Sequence, residues 1–147
     1  MVRFAPLICY EAVHPGYVAG AARDGAEVLL ALSNDAWFAD AAAPRLHLAA
    51  AALRSVELRL PQIRATNSGI SALVLPSGAI VSATEFGERA TLRLAVPRVS
   101  RRWTPSLAWG DWPGPVALAA CAALALYLIA AAAARTWASG SRPASGR

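Results

Sequence analysis

Between Pro115 and Ala134 the chain runs 20 residues without a charge, and this stretch limits the fold more than any other feature. At about 1.5 Å per residue, a helix of that length spans roughly 30 Å, the hydrocarbon thickness of a bilayer. Trp109 and Trp112 precede it and Trp137 follows it, which suits the two interfacial aromatic belts. A buried helix of a soluble protein is the competing reading, because alanine fills much of the run and is only weakly hydrophobic. Length and flanks favour a transmembrane helix over 113–135. Arginines stand on both sides (Arg98, Arg101 and Arg102 before; Arg135, Arg142 and Arg147 after), so loop charge does not orient it. The Ser/Gly/Pro/Arg-rich end, 136–147, has the composition of a disordered basic tail. Residues 1–112 are left as the globular part.

Within that part, Phe4–Cys9 reads as a short buried strand, with Pro6 favouring an edge or the strand's beginning. Tyr17–Arg23 reads as a helix closed by Asp24-Gly25. Glu27–Ser33 is an apolar run of strand length, the mark of a buried central strand. Asn34–Pro44 is a loop. Arg45–Leu60 follows as an amphipathic helix, with Leu46, Ala49, Leu53, Val56 and Leu60 inward and Arg45, Arg54 and Glu57 outward; Pro61 stops it. Gln62–Thr66 is a strand and Asn67-Ser68-Gly69 a turn. Ile70–Leu75 and Ala79–Thr84 form a hairpin around Pro76-Ser77-Gly78. The alternation over Ala90–Val96 predicts one more strand. Strand, helix, strand, helix and hairpin define an α/β sheet packed by helices.

All 14 basic residues are arginine and the formal net charge is +5. The arginines are scattered, with no interleaved aromatic recognition module, so the charge speaks for solvated faces or anionic lipid heads and against nucleic acid. Two cysteines, one of them inside the apolar run, do not make a disulfide scaffold.

Cys9 is the sharpest candidate for chemistry. It ends a strand where the chain turns toward a helix, a position that aims a sulfur outward, near amides able to bind an oxyanion; an inert buried cysteine is the alternative. Tyr10 and Glu11 beside it suit the rim of a site. Asn34 and Asp35 follow the central strand, and ligands gather at the carboxyl ends of parallel strands; they serve equally as a loop cap. Trp37 and Phe38 are either an apolar wall for a lipid chain or ordinary loop packing. Arg64 and Asn67 line the same edge or bond the strand end. His14 and His47 lack metal-ligand spacing and read as solvated or structural, so no metal and no cofactor are expected.

Four motifs in order, Leu7-Ile-Cys9-Tyr10-Glu11, Ser33-Asn34-Asp35-Ala-Trp37-Phe38, Arg64-Ala-Thr-Asn67-Ser-Gly69 and Trp109-Gly-Asp111-Trp112, stand ahead of the apolar helix. Together they resemble the apolipoprotein N-acyltransferases, membrane-embedded members of the nitrilase superfamily. The resemblance implies the second half of an αββα nitrilase-like sandwich, placed in the periplasm and followed by the last helix in a bacterial inner membrane. It implies that Cys9 takes a fatty acyl chain from a phospholipid as a thioester, with Tyr10 and Glu11 functionally required beside it. The α-amine of a lipoprotein's diacylglyceryl-cysteine then takes the chain from the enzyme.

The same resemblance calls for a glutamate base and a lysine ahead of the cysteine. Neither precedes Cys9 here, and the chain contains no lysine. The expectation is therefore a fragment, a misassigned start or half of a split protein, inactive by itself, with an upstream half of the enzyme as a partner. The alternatives are another nitrilase-type amide hydrolase, which would need no membrane anchor, and a non-catalytic membrane-anchored remnant.

Overall fold

The structure, a computed structural model, describes residues 1–100 and 103–140. The chain divides into two compact units at Gly110–Asp111.

The first unit is built on a five-stranded sheet in the order β1 (Phe4–Ile8), β2 (Val28–Ser33), β3 (Gln62–Thr66), β4 (Ala72–Val74), β5 (Ile80–Ala83). β1, β2 and β3 are parallel, and the β4–β5 hairpin joins antiparallel. Pro6 lies on the edge strand, where its missing N–H costs no ladder bond. A 3-10 turn, Cys9–Val13, leads from β1 into α1 (Pro15–Arg23). Proline at the first helical position is pre-set for the helix, and Gly25, at φ +97°, takes the left-handed turn that returns the chain to β2.

α2 (Ala42–Leu58) connects β2 to β3 as a parallel crossover. It ends with Arg59 in the left-handed conformation, two residues before Pro61. α1 and α2 lie on one face of the sheet, where Ala5, Leu7, Leu29 and Ala31 pack against Val18, Ala19, Ala22, Ala51 and Leu58. The same side of α2 reaches the hairpin through Leu48 and Ala52, which meet Ile70, Ala72 and Val74. The opposite sheet face leaves Phe4, Ile8 and Leu32 exposed, so β1 alternates exposed and buried residues as an edge strand and is not the buried strand expected from sequence. A mixed α/β sheet with helices on one face is the architecture expected from sequence.

Three further details differ from the sequence reading. α2 begins at Ala42, three residues earlier than expected. Its buried side carries Leu48, Ala51, Ala52, Ser55 and Leu58, while Leu46 and Leu53 are 72% and 55% exposed and Arg54 is buried. Ala90–Val96 is not a strand: residues 89–100 have no regular structure, because no neighbouring strand extends beside them to complete a ladder. A short helix, α3 (Pro105–Trp109), capped by the Thr104 hydroxyl, closes the unit.

The second unit is dominated by α4 (Pro113–Gly140). Its segment Pro113–Arg135 is long and apolar enough to cross a membrane, by length and composition. The helix takes residues 136–140 of the expected tail, and the remainder lies outside the described residues.

Candidate active site

The register Ile8↔Leu32 and Ser33↔Thr66 brings the carboxyl ends of β1, β2 and β3 to one edge. Cys9, Asn34, Asp35 and Asn67 leave the sheet there, the edge at which open α/β folds bind ligands. Cys9 is half-buried and sits at φ +51°. For a residue with a Cβ this left-handed conformation costs about 1–2 kcal/mol. It turns the chain sharply between strand and 3-10 turn.

Strain of that kind persists only where the surroundings over-determine it, and two tethers do so. The Ile8 amide donates to Glu11 Oε2 at 2.7 Å, bridging the bend at its base. From α2, Arg54 Nη1 donates to the Val13 carbonyl at 3.3 Å while its Nη2 pairs with Glu57 at 2.6 Å. Glu11 thus braces the turn in this structure. Tyr10 is exposed, with its ring edge-to-face with His14 at 5.2 Å.

The loop after β2 is organised around Asp35, which is fully buried. Its carboxylate accepts from the Ser33 hydroxyl at 2.5 Å and from Arg64 Nη2 at 3.1 Å. The same Nη2 lies 3.0 Å from His47 Nδ1. The Asp35 amide donates to Asn67 Oδ1 at 3.0 Å, and Asn67 Nδ2 donates to Asn34 Oδ1 at 2.6 Å, so the loops after β2 and β3 are stitched together. Gly69 has no room for a side chain, because a Cβ there would run into the Asp35 carboxylate.

Burial lowers the pKa of His47, the Arg64 charge lowers it further, and Asp35 and the Cys9 main chain oppose this. Burial also pulls the Arg64 guanidinium below its ordinary value, against the attraction of Asp35 and the influence of Cys9. Both side chains therefore lie within electrostatic reach of the Cys9 turn.

Cys9, Asn34, Asp35, Arg64 and Asn67 thus share one edge. Trp37 is 76% exposed and stacks obliquely on Phe38, with ring centroids 5.3 Å apart. The sequence reading took His47 as solvated or structural, faced Arg54 outward and placed Gly69 in a turn. His47 and Arg54 lie seven positions apart on the buried side of α2, a helical spacing that signalled their shared face. Among the described residues no group of three or more His, Cys, Asp or Glu is placed to hold a metal ion. A cavity of about 670 Å³ lined by Arg59, Ser77, Arg98 and Trp103 opens beside the 75–79 turn, at the other end of the sheet.

The helix-covered α/β sheet agrees with what comparison with known proteins finds. The sequence profile of the carbon–nitrogen hydrolases matches residues 1–105, and the chain belongs to that family. Within it, the chain is 41% identical over 111 residues to an apolipoprotein N-acyltransferase of Azotobacter vinelandii, covering 76% of this chain and 21% of that protein. It is 40% identical to the Pseudomonas putida apolipoprotein N-acyltransferase over 111 residues, covering 76% and 22%. The chain therefore spans about a fifth of the length of the curated relatives it matches. Among solved structures it resembles Nit3 of Saccharomyces cerevisiae, a nitrilase-superfamily member, with TM-score 0.51, 25% identity and coverage of 58% and 34% of the two chains. The carbon–nitrogen hydrolase of Helicobacter pylori shares the fold, with TM-score 0.52, 16% identity and coverage of 58% and 37%.

Proposed function

We propose that Cys9 is the acyl-accepting nucleophile of a lipoprotein N-acyltransferase and that this chain contributes the cysteine-bearing edge of its site. The observation that carries the reading is the left-handed turn at Cys9, a half-buried residue at the carboxyl ends of the parallel strands. In the first step Sγ attacks an ester carbonyl of a phospholipid. A C–S bond forms, the C–O bond breaks, and the lysophospholipid leaves with a proton on its oxygen. In the second, the α-amine of a diacylglyceryl-cysteine attacks the thioester, a C–N bond replaces C–S, and the thiol regains a proton. Dividing one acyl transfer into two lowers each barrier.

Asn34, Asn67 and Arg64 shape the edge where the acyl carbonyl enters, and exposed Trp37, stacked on half-buried Phe38, offers an aromatic surface suited to a lipid chain. Tyr10 and Glu11 act beside the nucleophile, Glu11 by bracing its turn. Pro113–Arg135 anchors the site at a bacterial inner membrane with the globular part on the periplasmic side, where both substrates meet it. The sequence holds no lysine. A tetrahedral intermediate that requires a lysine therefore requires it from another polypeptide segment, and this chain by itself is expected to turn over no substrate.

The test is mass spectrometry of the chain after incubation with phospholipid vesicles, in the presence and absence of a relative's upstream segment carrying the glutamate and lysine. The expected result is an acyl thioester on Cys9 only when that segment is present, and N-acylated lipopeptide on adding acceptor. Acylation at a residue other than Cys9 overturns the nucleophile assignment, and turnover by the chain alone overturns the need for a second segment. Hydrolysis of simple amides without phospholipid would favour the hydrolase alternative.

A further inference from the structure

His47 lies in the first turns of α2 with its side chain only 10% exposed. Its two ring nitrogens are unequal. Nδ1 lies 3.0 Å from Arg64 Nη2, and a guanidinium only donates. Nδ1 must therefore present its lone pair, and the neutral ring must carry its proton on Nε2. That Nε2–H is buried, and no acceptor among the described residues completes a hydrogen bond to it in full geometry. A buried donor left unpaired costs the full desolvation of the group, so an acceptor within reach is the rule.

The structure limits where that acceptor lies. α2 packs on the Cys9–Val13 turn, and Arg54 of the same helix already holds the Val13 carbonyl at its far end. The near end is Cys9, whose main chain favours the charged form of the His47 ring. A carbonyl has two lone pairs, so a bond inside the 3-10 turn leaves the Cys9 carbonyl able to accept another. The turn needs a hold at that point: Cys9 is left-handed without being glycine, and the Glu11 and Arg54 tethers grip its neighbours, not its own peptide.

We infer that His47 is a positioning residue, whose Nε2–H donates to the main-chain carbonyl of Cys9 and keeps the cysteine in the left-handed conformation that projects its sulfur from the sheet edge. Arg64 sets the tautomer through Nδ1, and Asp35 sets Arg64. The chain Asp35–Arg64–His47–Cys9 thereby couples the loop after β2 to the turn after β1. The consequence for acyl transfer rests on Cys9 being the nucleophile; the hydrogen bond does not.

Two measurements on the full-length chain in detergent test it. The first is ¹⁵N NMR of the imidazoles near neutral pH, simplified because the sequence holds only two histidines, His14 and His47. His47 is expected neutral with Nε2 protonated and Nδ1 bare. A proton on Nδ1 overturns the inference, and this arm needs no variant to fold. The second is the rate of Cys9 alkylation by iodoacetamide in a Cys121→Ser background. His47→Gln keeps an N–H near the Nε2 position and is expected to react within about threefold of the parent. His47→Asn answers Arg64 but does not reach Cys9, and it is expected to lose about tenfold, the scale of one hydrogen bond, as is His47→Ala. Equal rates for the Gln and Asn variants, both folded, overturn it. If Cys9 forms no thioester with phospholipid while the Gln/Asn difference holds, the proposed function fails and the positioning role stands.

Discussion

The turns that follow β1 and β2 leave neighbouring parallel strands at the same edge, yet they are built on opposite plans. After β1, the chain bends through a strained, half-buried residue tied down by bonds to its flanks. After β2, Asp35 adopts no unusual backbone and is fully buried, held by an ion pair with Arg64 and a hydrogen bond from Ser33, with His47 on the far side of Arg64. The difference separates two tasks. On the proposed reading, the group that reacts is held by conformation, and the group that fixes its surroundings is held by charge and sealed from water. The coupling through His47 makes the second plan the support of the first.

The largest effect is expected where charge is sealed in. Removing one partner of a buried pair leaves the other uncompensated, which costs about 3–5 kcal/mol. Arg64→Ala should destabilise the globular unit on that scale in chemical denaturation, with loss of order in both turns. Adding Asp35→Asn to Arg64→Ala removes the stranded charge and should recover part of the loss. A cost for Arg64→Ala near that of an exposed arginine would erase the distinction between the two turns.

A smaller effect of opposite sign is expected after β1. Glycine takes φ +51° without the Cβ penalty, so Cys9→Gly should be more stable than Cys9→Ala by about 1 kcal/mol while both abolish thiol labelling at the position. Paired urea titrations read the difference. Equal midpoints would mean that Cys9 carries no backbone strain, and the turn would then need no brace.

Much of this plan was legible in the residues, and the illegible parts have physical causes. Cys9, Asp35 and Arg64 announced themselves by standing at strand ends or inside a strand where a polar group needs a reason. β3 and the hairpin were legible because Pro61 and Gly78 punctuate them. The face of α2 was misread because alanine fills it. Leu46, Ala49, Leu53 and Val56 make as regular a stripe as Leu48, Ala51, Ser55 and Leu58, and helical period alone does not choose between them. The sheet chose the stripe of smaller residues, which lets the helix approach closely, and left Leu46 and Leu53 outside. That rotation carried Arg54 and His47 inward, so the two residues that reach the Cys9 turn were set aside as outward or structural. The alternation over Ala90–Val96 imitates a strand, but strands form in pairs, and pairing is not written in a single segment.

The smallest effect, and the one that most directly probes the link between the turns, is the dependence of stability on pH. His47 has its pKa lowered from 6.5, first by burial and then by Arg64, with Asp35 and the Cys9 main chain pulling the other way. In the window between 6.5 and that lower value, the unfolded chain binds a proton that the folded chain refuses. Unfolding then takes up a proton, so the stability due to neutral His47 is fully present above the window and declines as pH falls through it. Carboxylates titrate lower and blur the absolute curve, so the quantity to read is the difference between the parent and His47→Gln. Thermal unfolding midpoints of the parent should fall more steeply with decreasing pH below 6.5 than those of the variant. A parent that gains on acidification relative to the variant would mean that His47 is charged and paired with Asp35. Nε2–H would then no longer be the ring's single proton, and Arg64 would not fix a tautomer that reaches the Cys9 carbonyl.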